Sequence, residues 1–266
     1  MSLIQLMNEL PVWFVALILI AAAEIYSISL MLVARLAYGS TRLSLNNEVA
    51  GFKFAVVGVF YAVLLAFVVV AVWEEYRGTE AAVRNEAKAA VDLHRVTYAL
   101  PVEGGSLIRQ RLITYTDHVR EFEWPSMSQG VPSADVAKDL DQLSQAIYDV
   151  RPDGWRELAL YQHALRLLTV MTDNRNERLV SSAGSVPGIL WFVLIVGGII
   201  TLGYPAFFGS ANVLAQTLMT AALAALVALS LLLGVAFDFP FTGDVKISVL
   251  PFDEALAQMP PTWPPP

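Results

Sequence analysis

The sequence predicts an all-α integral membrane protein with four transmembrane helices and a helical bundle inserted between the second and the third. Three observations carry this. Of the 266 residues 56% are hydrophobic and only 15% charged, where a soluble domain averages about 25% charged. Four apolar runs are long enough to cross a hydrocarbon core of about 30 Å. The one long stretch that is not membrane-like has apolar residues at alternating steps of four and three, the seam of a helical bundle, and no strand alternation. These readings set the boundaries: 1–73 for transmembrane helices 1 and 2, 74–184 for the soluble bundle, 185–238 for transmembrane helices 3 and 4, and 239–266 for an extended tail.

The net charge of -7 argues against nucleic acid as a partner. The absence of cysteine removes disulfides, thiolate catalysis and Cys-ligated metals. Met1–Pro11 lacks the Lys or Arg of a signal peptide's first region, and the apolar run after it is too long for a removable one.

The first span is Val12–Ala34, interrupted by Glu24. An ionisable group at that depth costs about 2.5–3.5 kcal/mol on insertion scales, so it should face protein or water. Glu24 reads either as an ion ligand, proton relay or pore-facing charge, or as an off-centre residue reaching an interface or pairing with Arg35 or Arg42. A loop carrying Arg42 and Lys53 begins at Gly39-Ser40.

The second span, Phe54–Trp73, lies inside one helical pattern running from Asn46 to Glu86 without a proline. Gly51, Ala55, Gly58, Ala62 and Ala66 form a small-residue stripe that lets a neighbouring helix approach closely. The opposite face carries Phe60, Tyr61, Leu64, Phe67 and Val68. Phe60, Leu64 and Phe67 are candidates for a pore lining or a dewetting constriction. Glu74 and Glu75 close the span. Repeated around a ring of subunits they would form an acidic collar attracting cations; otherwise they are an ordinary charged exit into water.

In the bundle, the first helix should continue to Leu100 and stop at Pro101 and Gly104-Gly105. The second carries Ile108, Leu112, Tyr115, Val119 and Phe122 on one face. After a loop, Ser133 is the expected N-cap of a third helix with Val136, Leu140, Leu143, Ile147 and Val150. Pro152 stands in the first turn of a fourth helix running through Trp155, Leu158, Tyr161, Leu165 and Leu168. The third span is Pro187–Gly203 and the fourth Val213–Phe237, joined by a tight re-entry. Gln216, Thr217, Thr220 and Ser230 give the fourth a polar stripe for interhelical hydrogen bonds. Val245–Val249 reads as a short strand or extended tail, and Pro260–Pro266 as polyproline or disorder.

Four spans put both termini and the bundle on one side. Arg35, Arg42 and Lys53 favour a cytoplasmic first loop, whereas Arg77, Arg84, Lys88, Arg175 and Arg178, at the membrane ends of the middle domain, favour the opposite orientation. His94, His118 and His163 fall on three separate helices and read as packing or surface residues. No HExxH, GxSxG elbow, phosphate loop or dinucleotide fingerprint occurs, so no enzyme, metal or cofactor is expected.

The second span and its exit, Glu48-Val-Ala-Gly-Phe52, Gly58, Tyr61-Ala-Val-Leu-Leu-Ala-Phe67, Trp73-Glu74 and Glu86-Ala87, resemble the bestrophin-like domain family of bacterial membrane proteins. So do Leu160–Leu168 and the Asp238-x-Pro240-Phe-x-Gly243 turn. Asp173–Arg178 is less basic than that family leads one to expect. The resemblance implies a distant likeness to bestrophins, pentameric ion channels with four spans per subunit, a pore lined by the second span and a large helical cytosolic domain. A bestrophin calcium clasp is not found, since Asp238 and Asp244 are too few. The resemblance therefore implies a homo-oligomeric ion channel, a pentamer, in a bacterial inner membrane, with the bilayer and inorganic ions as its other partners and the bundle cytoplasmic. The acidic exit adds an expected cation preference. The rival expectation is a non-conducting scaffold or sensor whose bundle binds a partner.

Overall fold

The computed structural model describes residues 10–260. The readings of Met1–Glu9 and of the prolines beyond Pro260 lie outside the described residues. Every regular element among the described residues is helical. In order these are α1 (Val12–Tyr38), α2 (Ser40–Ser44), α3 (Asn47–Thr97), α4 (Val102–His118), a π-helical turn (Val119–Glu123), α5 (Trp124–Met127), α6 (Ala134–Tyr148), α7 (Gly154–Ser182), α8 (Gly188–Gly203), a 3-10 turn (Tyr204–Phe207), α9 (Val213–Asp238) and α10 (Leu250–Ala257).

Four helices are long and apolar enough to cross a membrane: α1, α3, α8 with its 3-10 extension, and α9. α3 has 51 residues, about 75 Å of unbroken helix at a 1.5 Å rise. It is shared by two compact units. One unit comprises the chain up to Glu74, Ser185–Asp238 and Gly243–Val245; the other comprises Glu75–Gly184, Phe239–Thr242 and the chain from Lys246 onward.

In the membrane unit, α1 packs along α9. Tyr61, Leu65, Val68 and Val72 of α3 bury against Leu194 and Leu202 of α8 and Ala224 and Val227 of α9. Backbone carbonyls at the end of α8 and in the loop that follows its 3-10 turn lack intrahelical partners, and in a bilayer they must be satisfied inside the protein. Side chains do this. Ser27 Oγ donates to Leu202 O at 2.6 Å, Gln216 Nε2 to Phe208 O at 2.7 Å and Arg35 Nη1 to Ser210 O at 2.7 Å. Asn47 reads both polar groups of Gly209, donating to its carbonyl at 2.8 Å and accepting from its amide at 2.9 Å. Gly209 is pressed against the α2 backbone at Ser44 and Ser40, where a side chain would collide. The expected loop after Gly39-Ser40 thus contains a short helix held from across the unit.

In the bundle, Ile108, Leu112, Tyr115 and Val119 of the α4 region and Val136, Leu140, Leu143, Ile147 and Val150 from the α6 region are all buried, as the seam predicts. Ser133 caps α6, accepting from the Val136 amide. Three local expectations are corrected. Gly104 and Gly105 do not break a helix but stand in the first turn of α4, where Gly105 passes against the Thr97 carbonyl too closely for a Cβ. Pro152 precedes the Asp153 cap rather than occupying the first turn. Trp155 and Leu158 are exposed, and the buried stripe of α7 begins at Ala164.

The C-terminal segment also differs. Lys246–Ser248 forms no strand or other regular element, and the chain then folds into α10 rather than a tail. Phe252 of α10 is fully buried, 5.7 Å from the Trp124 ring. A helix this short is not stable by propensity; burying Phe252 fixes it.

Candidate functional site

Two centres stand out, one in each unit. The first is the apolar half of α3. Its candidates divide by face. Phe60 and Phe67 are 79% and 72% exposed, whereas Leu64 is half-buried against the core of its own unit. Val56, Val63 and Val70 continue the uncovered side. The small-residue stripe is not closed over by a helix of the same unit. Gly51 has only the Phe208 ring within 4 Å of where a Cβ would stand, and Gly58 has nothing. Ala55, Gly58, Ala62 and Ala66 instead line a groove of about 570 Å³ shared with α9. A close approach within the unit is found at Gly197, where a Cβ would stand 2.7 Å from the Tyr61 ring. α8 thus carries its own pair of glycines, Gly197-Gly198, to admit that ring.

Glu75 is exposed and accepts from Ser181 Oγ at 2.9 Å; Glu74 is exposed. Glu24 is half-buried and has no hydrogen-bond or ion-pair partner among the described residues. The expected alternative of a pair with Arg35 or Arg42 is not formed among the described residues; Arg35 Nη1 donates instead to the Ser210 carbonyl. Asp238 is buried and fully used. One oxygen accepts from the Ser185 and Val186 amides at 2.8 and 2.9 Å and from Ser185 Oγ, and the other from Trp191 Nε1 at 3.1 Å. It ties the end of α9 to the entry of α8, with its negative charge near that helix's N-terminus.

The second centre, in the bundle, was not read from the sequence. Glu86, Glu123 and Arg178 are wholly buried and Arg175 is 6% exposed. Arg178 donates to Glu86 through Nε and Nη2 at 2.7 and 2.9 Å, and through Nη2 to Glu123 at 2.8 Å. Arg175 grips Glu123 with both Nε and Nη2. The Tyr115 hydroxyl donates to Glu86. Two carboxylates and two guanidiniums balance, so the cluster is neutral as a whole. Burial pushes the Arg178 guanidinium towards losing its proton, but Glu86 and then Glu123 outweigh it and hold the charge more firmly than in water. Burial, reinforced by Glu86, pushes the Tyr115 phenol well above its ordinary range, so it remains a neutral donor.

Arg175 and Arg178 are therefore buried, paired charges and not the surface cations that their position in the sequence suggested. The signal that could have found them is periodic: Ala164, Leu168, Met171, Arg175 and Arg178 lie on one face of α7. Thr79, Val83, Glu86, Ala90 and Leu93 do the same on α3, and all are buried. A charged residue continuing an apolar stripe in step is a buried charge needing a partner. Chemically the cluster is a closed lock without an open ligand position. Among the described residues no group of His, Asp and Glu could hold a metal ion.

The fold defines a class: four membrane-spanning helices, with a helical bundle inserted between the second and third. The Bestrophin-like domain profile matches residues 20–252, and the chain belongs to that family. The fold is shared with bacterial Bestrophin homolog structures from Klebsiella pneumoniae. One, solved by Zn-SAD phasing, is 13% identical with a TM-score of 0.67, covering 90% of this chain and 97% of that one. A single-substitution variant gives 12%, 0.68, 90% and 95%. At this identity the likeness concerns the fold alone. No curated protein sequence matches the chain.

Proposed function

We propose that the chain is one subunit of an oligomeric ion channel, a pentamer in a bacterial inner membrane, with the bundle on the cytoplasmic side. α3 lines the pore. The observation that best supports this is the uncovered face of α3 at Phe60 and Phe67, on the helix that runs unbroken from the apolar span into the bundle. Large apolar rings repeated around an axis would narrow it to a dewetting constriction. Leu64 supports them from behind. Glu74 and Glu75 give the pore mouth a cation preference, with Glu74 the freer of the two because Ser181 engages Glu75. Glu24 faces water or a neighbouring subunit.

Reconstitution of purified protein in planar bilayers tests this. Conductance above background is expected, with a reversal potential favouring cations that moves towards zero in Glu74→Gln with Glu75→Gln. No conductance removes the channel reading. An unchanged reversal potential removes the acidic selectivity reading alone.

A further inference from the structure

Of the three histidines, His94 alone is sealed from water. It is 1% exposed, whereas His118 is half-buried against Asp139 and His163 is exposed. It stands near the end of α3, in the bundle, with the end of the described chain folded over it. Its ring hydrogen-bonds the Pro260 backbone, and its Nε2 is buried with no partner among the described residues. The bonded nitrogen is therefore Nδ1, which must carry the ring's hydrogen to donate to a carbonyl and leaves Nε2 bare. A second hydrogen, on Nε2, would bring a buried positive charge without a partner. The surroundings oppose it. Arg109 of α4 lies 4.3 Å over the Tyr98 ring, which packs edge-on against His94. Arg95 follows on α3. The neighbouring carboxylates are engaged elsewhere: Asp92 with Lys88 and Arg95, and Asp253 of α10 with Arg120. Glu254 of α10 lines a surface groove together with Arg95. Burial pushes the imidazole below its ordinary value of 6.5; the Pro260 bond works against this, and Arg109 and Arg95 reinforce it.

The same turn of α3 holds the chain end. The Tyr98 hydroxyl donates to the Pro260 carbonyl at 3.1 Å, and Arg95 Nη2 donates to Gln258 Oε1 at 3.3 Å. Met259 between them is buried. α10 has only eight residues, so docking rather than propensity keeps it formed. Phe252 anchors its start; the bonds from His94, Arg95 and Tyr98 anchor its end. We infer that His94 is a proton-operated latch on the C-terminal end of the bundle: taking a proton, it releases Gln258–Pro260 while the rest of the bundle stays folded. The chain end is the cover that gives way, because Leu93 and Leu100 of the α3 end and Ile108 and Leu112 of α4 are fixed in the buried core. Above pH 6.5 the ring is neutral whether the end is docked or open, and the latch stays shut. Below it the open state takes the proton first, since only there is the ring hydrated. Acid therefore favours opening, by at most about tenfold per pH unit for one proton, until the docked ring also titrates.

The test is hydrogen–deuterium exchange of the full chain in lipid nanodiscs at about pH 7.5 and about pH 5, corrected for the intrinsic effect of pH on exchange. The Gln258 and Met259 amides close the last turn of α10, donating to the Glu254 and Leu256 carbonyls. They should exchange several-fold faster in acid, while the amides of α6 keep their protection. His94→Gln, which cannot titrate, should abolish the difference. Arg109→Gln leaves His94 in place and removes one opposing charge, so the difference should shrink relative to the wild type. That variant decides the matter if His94→Gln leaves the end undocked at both pH values. An end equally protected at both values overturns the inference. So does a rise that survives in a docked His94→Gln chain, a rise undiminished in Arg109→Gln, or an equal loss of protection in α6. None of these outcomes depends on conduction.

Discussion

The membrane unit and the bundle solve opposite problems with the same secondary structure. In the bundle the core is closed, and its centre holds four charges that satisfy one another: Glu86, Glu123, Arg175 and Arg178. In the membrane unit the core is apolar, its polar bonds go to carbonyls at the end of α8 and in the loop after it, and one flank of α3 is left open. Water supplies a hydrophobic force that tolerates a buried ionic centre. Lipid supplies none between helices, so contacts there depend on close fit and on hydrogen bonds. The bundle should therefore respond most to loss of charge, and the membrane unit most to added volume.

The largest expected effect is Arg178→Met. It strands Glu86 in a dry core with only the Tyr115 hydroxyl and takes from Glu123 one of its two guanidiniums, a loss of about 3–5 kcal/mol, visible as early cleavage of the bundle in pulse proteolysis of the intact protein. Replacing Glu86, Glu123, Arg175 and Arg178 together by apolar residues should recover much of it. If Arg178→Met alone is silent, the cluster is not a closed lock.

Tyr115→Phe comes next. It removes a hydrogen bond to a charged carboxylate, worth about 1.5–3 kcal/mol. It should also alter the response to alkali. The folded phenol titrates above its unfolded value of 10, so its contribution is intact below pH 10 and fades as pH rises towards the folded value. The wild-type protein should lose stability above pH 10 more steeply than Tyr115→Phe; equal slopes would separate the phenol from the lock.

In the membrane unit, Gly197→Ala forces a methyl against the Tyr61 ring, an overpacking loss of about 1–3 kcal/mol readable as a lower melting temperature in detergent. Gly58→Ala, with nothing within 4 Å, should stay within about 0.5 kcal/mol. Equal effects at the two glycines would erase the distinction between closed and open faces. Smallest in stability is Phe60→Ala, on the uncovered face, within about 0.5 kcal/mol; its effect belongs to conduction.

How much of the molecule was legible depends on the physics of each part. The spans were readable because lipid imposes length and apolarity on a contiguous run. The α4 and α6 seams were readable because period 3.6 survives wherever the helix is regular. It failed at one turn. The π-helical segment Val119–Glu123 advances the register, so Phe122, the next step of the seam, is half-exposed and Glu123 enters the core. Such one-residue insertions in a helix recur at functional sites, and this one delivers the carboxylate that Arg175 and Arg178 require. α10 was illegible because its helix depends on Phe252 finding Trp124. The groove was illegible because small residues look alike whether they are packed against or left open.

The central claim is that α3 presents Phe60 and Phe67 to a shared aqueous axis. The chain has no cysteine, so Phe60→Cys and Phe67→Cys give single, clean reporters. The decisive measurement is conductance of each variant in planar bilayers before and after a charged, membrane-impermeant methanethiosulfonate. The account predicts that current through both changes on modification while an α1 control, Leu17→Cys, does not respond. Conducting Phe60→Cys and Phe67→Cys channels that ignore the reagent, with thiols reactive only to bilayer-soluble maleimide, would put that face in lipid and contradict it.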